Sequence, residues 1–238
     1  MKKNIKKALA EYFDELIYGG IDGIITTFAV VAGFTGAAMS SNLTTQISFA
    51  VVTLFGLANL FADAASMGLG NFLSVRSEKD LYKVMRRKEH EAIMQTPDSE
   101  VSKTIGIMQS RGFSPEDAAT LAAIYRKNGD YWLDFIMQNG AGMSDPRRQN
   151  EALTGLATFL SFILFGSIPL IPFLLQESGN PDAVFMYSTI GTFGALAVLG
   201  LLKWKIIGTK LWASLLEVVL VGSTAAALAY YVGTFFVV

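Results

Sequence analysis

The chain alternates long apolar stretches with polar ones, and five of the apolar stretches are long enough to cross a bilayer. They cover residues 16–40, 46–73, 153–175, 183–204 and 211–238. A helix needs about 20 apolar residues to span roughly 30 Å of hydrocarbon. The pattern therefore predicts an all-α membrane protein with five transmembrane helices per protomer.

The long polar stretch between the second and third apolar stretches predicts a small helical domain over residues 74–151. Two domain boundaries follow from it. Residues 1–73 hold an amphipathic N-terminal segment and helices 1 and 2, and residues 152–238 hold helices 3 to 5.

Helix start and stop signals lie within the polar domain. Thr96-Pro97 and Ser114-Pro115 each place a capping residue before a proline at the first helical position. Asn128-Gly129 is a stop signal. The signals predict helices that begin after residues 96 and 114, the second of them continuing through 118–127, and a further short helix over 130–139.

The basic residues predict the orientation of the helices. Of the 19 lysines and arginines, four precede the first apolar stretch, twelve lie in the polar domain, and three flank the turn between the fourth and fifth stretches. With five crossings all of these positions lie on one side, and basic residues favour the cytosol. We therefore expect a cytosolic N-terminus and polar domain, and an external C-terminus. The short chain without a long targeting extension favours a bacterial plasma membrane.

Composition excludes several classes of function. The net charge of −1 gives no basic field for nucleic acid. The chain has no cysteine and one histidine, His90, which excludes disulfides, thiolate metal centres, cysteine nucleophiles and a multi-histidine cluster within one chain. We expect neither an enzyme nor a permanently bound cofactor.

Three acids lie near the start of the first apolar stretch. Glu11, Glu15 and Asp22 are separated by four and seven residues, which places them on one face of a helix. Asp22 lies deeper than the other two, where a carboxylate costs roughly 2.5–3.5 kcal/mol on insertion scales. Asp22 is therefore either a functional group facing a cavity or a protonated acid bonded to a neighbouring helix.

Four residues with oxygen or sulfur donors recur at every fourth position of the second apolar stretch. Asn59, Asp63, Met67 and Asn71 form one stripe on an otherwise apolar helix. Carboxylate with thioether suits a transition metal such as Fe²⁺ better than Mg²⁺ or Ca²⁺. The alternative for Met67 is ordinary packing.

Two further patterns concern helix packing and assembly. Glycines are dense in the first two stretches and predict close helix contacts. Residues 166–172 predict a kinked or broken third helix. Either its freed carbonyls line a cavity, or the residues form a simple kink near the end of the span. One copy of Asp22 and Met67 cannot complete a six-coordinate shell. A two-fold axis would double the ligands, so we expect a homodimer.

At residues 18–28, 58–68, 166–172 and 222–230 the chain resembles the vacuolar iron transporter family. The resemblance implies a five-helix dimer that exchanges Fe²⁺ or a similar ion for protons and moves the metal out of the cytosol. It also implies that Asp22 and Met67 are intramembrane metal ligands, and that Glu15 and Glu11 are carboxylates on the cytosolic side of the path.

The polar domain resembles the family's cytosolic metal-binding domain, but only in part. Glu89, Glu100 and Met137 stand at positions of metal ligands in the family, whereas Ala92, Lys103, Ile136 and Gly140 stand where further ligands are expected. The resemblance implies that the domain keeps its fold while its metal site is weakened or lost. The acids are equally consistent with a solvated helix face.

Two functions follow from these observations. The first is a metal/proton antiporter that exports Fe²⁺, with Mn²⁺ as a second substrate, in which Asp22 and Met67 bind the ion and Glu15, Glu11 and Asp63 alternate between metal and proton. The second is a membrane metal sensor or scaffold that has lost transport. The expected partners are divalent ions, protons, lipid and a second copy of the chain.

Overall fold

The computed structural model describes residues 12–40, 49–175, 180–208 and 210–235, which form helices joined by turns and short irregular segments, with no strand. The helices are α1 (Phe13–Ser40), α2 (Phe49–Gln95), α3 (Pro97–Ser110), α4 (Pro115–Tyr125), α5 (Gly129–Asn139), α6 (Glu151–Gly166), α7 (Ile171–Leu175), α8 (Pro181–Ile207) and α9 (Leu211–Phe235). Short 3₁₀ turns lie at Pro146–Arg148 and Ile168–Leu170.

Among the described residues, five helical segments are long and apolar enough to cross a membrane. They are Phe13–Ala37, Phe49–Gln95, Glu151–Leu175, Pro181–Ile207 and Leu211–Phe235. The expectation of an all-α protein with five apolar spans is confirmed. The largest difference concerns α2, which was expected to end near residue 73 and continues to Gln95. No glycine or proline follows Gly70 until Pro97, so no residue in between interrupts the helix.

The chain forms two compact units. The first consists of Met1–Phe72 with Ala152–Val238, and the second is Leu73–Glu151. Within the first unit, α1 packs most extensively against α9 and also against α8. Two apolar clusters form its core, one around Phe28 and Phe162 and the other around Leu196.

Glycines set the closest helix contacts of the first unit. A Cβ on Gly23 of α1 would lie 2.6 Å from the carbonyl oxygen of Phe162 in α6. A Cβ on Gly155 of α6 would lie 2.5 Å from the carbonyl oxygen of Gly68 in α2. Real Cβ atoms essentially never come within 3.0 Å of such an atom. The predicted role of glycines in close helix approach is therefore confirmed at Gly23 and Gly68.

The third span is broken as predicted. α6 ends at Gly166, a 3₁₀ turn follows over Ile168–Leu170, and α7 begins at Ile171. The carbonyl of Pro169 in the break accepts a hydrogen bond from the buried hydroxyl of Ser188 at 2.7 Å. The break therefore ties the third span to α8.

The helix signals of the second unit are partly right. Ser114 caps α4 as predicted, since its Oγ accepts a hydrogen bond from a backbone N–H of the first turn at 3.1 Å. Thr96 precedes α3 but makes no side-chain cap, because its Oγ1 instead donates to the Ala92 carbonyl at 3.1 Å. Asn128 does not end a helix over 118–127. α4 already ends at Tyr125, and Asn128 is the N-cap of α5.

Candidate functional site

Asp22 lies beside a cleft of about 490 Å³ whose walls come from α1, α8 and α9. The polar residues of the lining are Asp14, Tyr18 and Asp22 from α1 and Lys203 from α8, and the remaining walls are apolar. Asp22 is half-buried, with Asp14 and Tyr18 exposed on the turns before it. Polar groups thus extend from the start of α1 to the depth of Asp22.

Asp22 lies on α1 and Asp63 on α2, two helices whose residues share the apolar core cluster around Phe28 and Leu60. Asp63 is half-buried, as Asp22 is. Asn59 Nδ2 donates a hydrogen bond to Asp63 Oδ2 at 2.8 Å, across one turn of α2. One carboxylate of the predicted set on α1 and a bonded carboxylate and amide on α2 are thus carried by two helices that pack against each other.

No fixed cation compensates these two carboxylates within the described ranges. The ion pairs formed by residues 12–40, 49–175, 180–208 and 210–235 include neither Asp22 nor Asp63. The hydrogen-bond donor shown for the Asp63 carboxylate is the neutral amide of Asn59. The arrangement is therefore suited to a mobile cation or a proton, because two adjacent carboxylates away from bulk water are costly until one is neutralised.

The other two members of the α2 stripe have packing or bonding partners inside the chain. Met67 is partly buried and packs against the core cluster that includes Phe28 and Phe162. Asn71 Nδ2 donates to Thr158 Oγ1 on α6 at 2.8 Å. The packing alternative for Met67 thus has support, and its role as a metal ligand stays a prediction.

The acids predicted at the cytosolic end of the path are described only in part. Glu15 is half-buried in the first turn of α1 and is not among the residues that line the cleft. Glu11 lies outside the described residues. In the described part of a single chain, no group of three or more acidic or histidine side chains is arranged to hold a metal. Completing a shell around Asp22 and Asp63 would require ligands from elsewhere.

Sequence reasoning missed Asp14 and Lys203 as cleft residues. The signal for Asp14 was its spacing, because Asp14, Tyr18 and Asp22 are four residues apart and follow one side of α1. Lys203 had no such signal, since it lies far along the chain on α8. Its Nζ donates to Glu217 Oε2 of α9 at 2.6 Å.

In the second unit, the predicted ligands Glu89 and Glu100 lie together, with Lys103 between them. Lys103 Nζ donates to Glu89 Oε2 at 2.6 Å and lies 3.3 Å from Glu100 Oε2. Burial alone would lower the pKa of Lys103, but the bond to Glu89 and the charges of both acids outweigh it and raise that pKa. Met137 is fully buried in the core of the unit beside Trp132. Metal binding by Glu89, Glu100 and Met137 stays a prediction.

Sequence comparisons identify relatives that cover nearly the whole chain. The profile of the VIT family matches residues 13–234. Vacuolar iron transporter 1 of Arabidopsis thaliana is 32% identical over 220 residues, which cover 92% of this chain and 84% of the relative. Vacuolar iron transporter 1 of Oryza sativa subsp. japonica is 31% identical and covers 92% and 83%, and the vacuolar iron transporter of Toxoplasma gondii is 29% identical and covers 98% and 77%. These relatives are named as transporters and not as enzymes, and the chain belongs to the VIT family, as its resemblance predicted.

Proposed function

We propose that the protein is a metal/proton antiporter that carries Fe²⁺, and Mn²⁺ as a second substrate, out of the cytosol. Membership of the VIT family supports transport, and the names of the relatives support iron as the cargo. The observation that carries the proposal for this chain is a set of half-buried acids on two helices that pack together, with Asp22 beside the cleft and Asp63 bonded to the neutral amide of Asn59.

Coupling to protons follows from the same pair. Two neighbouring carboxylates at low dielectric repel each other, and either a proton or a metal ion removes the repulsion. A metal ion that arrives therefore competes with a proton for the same oxygens, so uptake of one favours release of the other. In this mechanism Asp22 and Met67 bind the largely dehydrated ion, Asn59 orients Asp63, and Glu15, Glu11 and Asp63 exchange protons.

A homodimer is the assembly that we propose. Asp22, Asn59 and Asp63 are only half-buried in one chain, and polar side chains exposed to hydrocarbon are costly. A second copy related by a two-fold axis would cover them and double the oxygen ligands toward the six that divalent ions favour.

The proposed orientation has the N-terminus and residues 74–151 in the cytosol and the C-terminus outside. The support is the distribution of lysine and arginine along the sequence. Location in a bacterial plasma membrane stays a prediction, and the plant and Toxoplasma relatives are named vacuolar.

The test is metal uptake into liposomes that contain the purified full chain, with an acidic interior and Fe²⁺ outside. We expect wild type to accumulate Fe²⁺ while protons leave, as read by a pH dye inside, and Mn²⁺ to compete. Asp22→Asn keeps the size of the side chain and should abolish both signals. Asp182→Asn is the matched control, because Asp182 is an exposed acid in the first turn of α8.

Three results would decide the matter. Uptake without proton movement would remove the antiport mechanism, and uptake by Asp22→Asn at the wild-type rate would remove the proposed site. Wild type that binds metal but moves none would favour the sensor or scaffold function instead.

A further inference from the structure

Two carboxylates of the second unit are nearly buried and close to each other. The side chain of Glu89 on α2 is 12% exposed and that of Glu100 on α3 is 10% exposed. Two acids withdrawn from water in this way need a cation between them, since a buried carboxylate without one is strongly destabilising. The question is which cation the chain uses.

The cation present is the ammonium of Lys103. It hydrogen-bonds to Glu89 Oε2 at 2.6 Å and lies 3.3 Å from Glu100 Oε2. The second contact is an ion pair without hydrogen-bond geometry, which leaves Glu100 Oε2 buried with no hydrogen-bond donor. Arg86, a further basic residue of α2, is paired with Asp134 instead.

The rest of the unit fixes the backbone of α3 at Glu100. Thr104 Oγ1 donates to the Glu100 carbonyl oxygen at 2.8 Å, and Trp132 Nε1 of α5 donates to Thr104 Oγ1 at 2.7 Å. Trp132 is itself almost fully buried in the core of the unit. These bonds hold the backbone of α3 at Glu100 against α5.

We propose that Lys103 is the permanent cation of the second unit, and that it keeps divalent metal away from Glu89 and Glu100. The ammonium is tethered to α3, so it competes at a high effective concentration with any ion from solution. A divalent ion would have to displace it and would then find two carboxylates, whereas such ions favour about six oxygen ligands. Met137 does not supply a further ligand, because its side chain is in the apolar core.

This role of Lys103 does not depend on the proposed transport. It assigns the second unit a contact between α2 and α3 that needs no metal, and so removes these acids from the set of metal ligands in the wild-type protein. Replacement of the Lys103 side chain alone should therefore allow this contact to bind a metal ion.

The test is Mn²⁺ binding by the purified full chain, measured from the loss of the free-ion EPR signal. Lys103→Glu replaces the ammonium with a third carboxylate. This variant should bind about one Mn²⁺ ion per chain more than wild type binds. Lys83→Glu makes the same charge change at an exposed pair with Asp80 and should bind no further ion. Any Mn²⁺ in the membrane unit is common to all variants and cancels in the difference.

A second variant guards against failure to fold. Lys103→Gln removes the cation without adding an acid, and should lower the midpoint of thermal unfolding, with a larger recovery on adding Mn²⁺ than wild type shows. Lys103→Arg keeps the positive charge and should behave as wild type in both measurements. Equal Mn²⁺ stoichiometry in wild type and Lys103→Glu, or no difference between Lys103→Gln and Lys103→Arg, would overturn the proposal.

Discussion

The close contact of α1 with α6 beside Asp22 gives the sharpest prediction. In Gly23→Ala, the added Cβ would lie 2.6 Å from the Phe162 carbonyl oxygen and 3.1 Å from its Cα. Both atoms belong to backbone, so no side chain can rotate away. To reach the 3.0 Å below which real Cβ atoms are essentially never found, the helices must separate by at least about 0.4 Å.

The magnitude follows from two opposing contributions. Overpacking of this kind costs about 1–3 kcal/mol, while alanine gains about 0.8–1.0 kcal/mol over glycine in a helix. Gly194→Ala on α8 has the second contribution alone, because no atom lies within 4 Å of its added Cβ. The difference in free energy of unfolding between the two variants therefore isolates the overpacking, and should be about 1–3 kcal/mol.

The assay is unfolding of the purified protein by a strong detergent in mixed micelles, followed by the helical circular dichroism signal. Gly23→Ala should unfold at a lower detergent fraction than Gly194→Ala. Because Gly23 follows Asp22, Fe²⁺ uptake into liposomes should also fall in Gly23→Ala alone. Equal unfolding free energies for the two variants would refute the claim that glycine sets this contact.

Three further predictions concern surface charges and a cap. Glu217→Gln leaves Lys203 as an unpaired cation in the wall of the cleft. Repulsion of roughly 1 kcal/mol between this ammonium and Fe²⁺ should raise the KM for Fe²⁺ uptake about fivefold. A double variant with Lys203→Gln should return the KM to the wild-type value. The hydrogen bond from Arg147 lowers the pKa of Asp145 to about 2 from its ordinary 3.8, so this pair stabilises the fold above about pH 4 and loses its effect as pH falls toward 2. Asp145→Asn should therefore cost less than about 1 kcal/mol at pH 7, since both side chains are substantially exposed, and the difference from wild type in thermal unfolding should shrink as pH falls from about 4 toward 2. Ser114→Ala removes the N-cap bond of α4 and should cost about 1 kcal/mol in the same measurement.

Features of the fold that depend on local sequence could be predicted, and features that depend on distant partners could not. The apolar spans follow from length and hydropathy alone, and the cap at Ser114 follows from four adjacent residues. Thr96 has the same sequence signal as Ser114, yet its hydroxyl bonds back to Ala92 because α2 extends to the residue before it. The length of α2 was missed because the change from apolar to charged residues near Leu73 was interpreted as the end of a helix, although it changes only the environment.

The candidate site divides in the same way. Spacing within α1 brought Asp22 into the predicted set, and spacing within α2 brought Asn59 and Asp63, since a helix fixes which residues share a face. Spacing cannot say which faces of two helices meet, so Lys203 on α8 was missed. Lys103 was noticed as an unexpected residue, but its contact with Glu89 joins two helices and needed the structure.

The acids of the two units differ in what compensates their charge. This difference supports the proposal that the metal ion passes by Asp22 and Asp63. In the second unit, Lys103 supplies a tethered charge to its two acids. In the first unit, the donor shown for Asp63 is a neutral amide, and Lys203, the basic residue that lines the cleft beside Asp22, is bonded to Glu217. A tethered ammonium cannot leave, whereas a carboxylate pair without one must take its neutralising charge from solution, as a proton or a metal ion. Of these two pairs in the described part of the chain, the pair in the first unit is the one that fits the exchange we propose, because its compensating charge can be replaced.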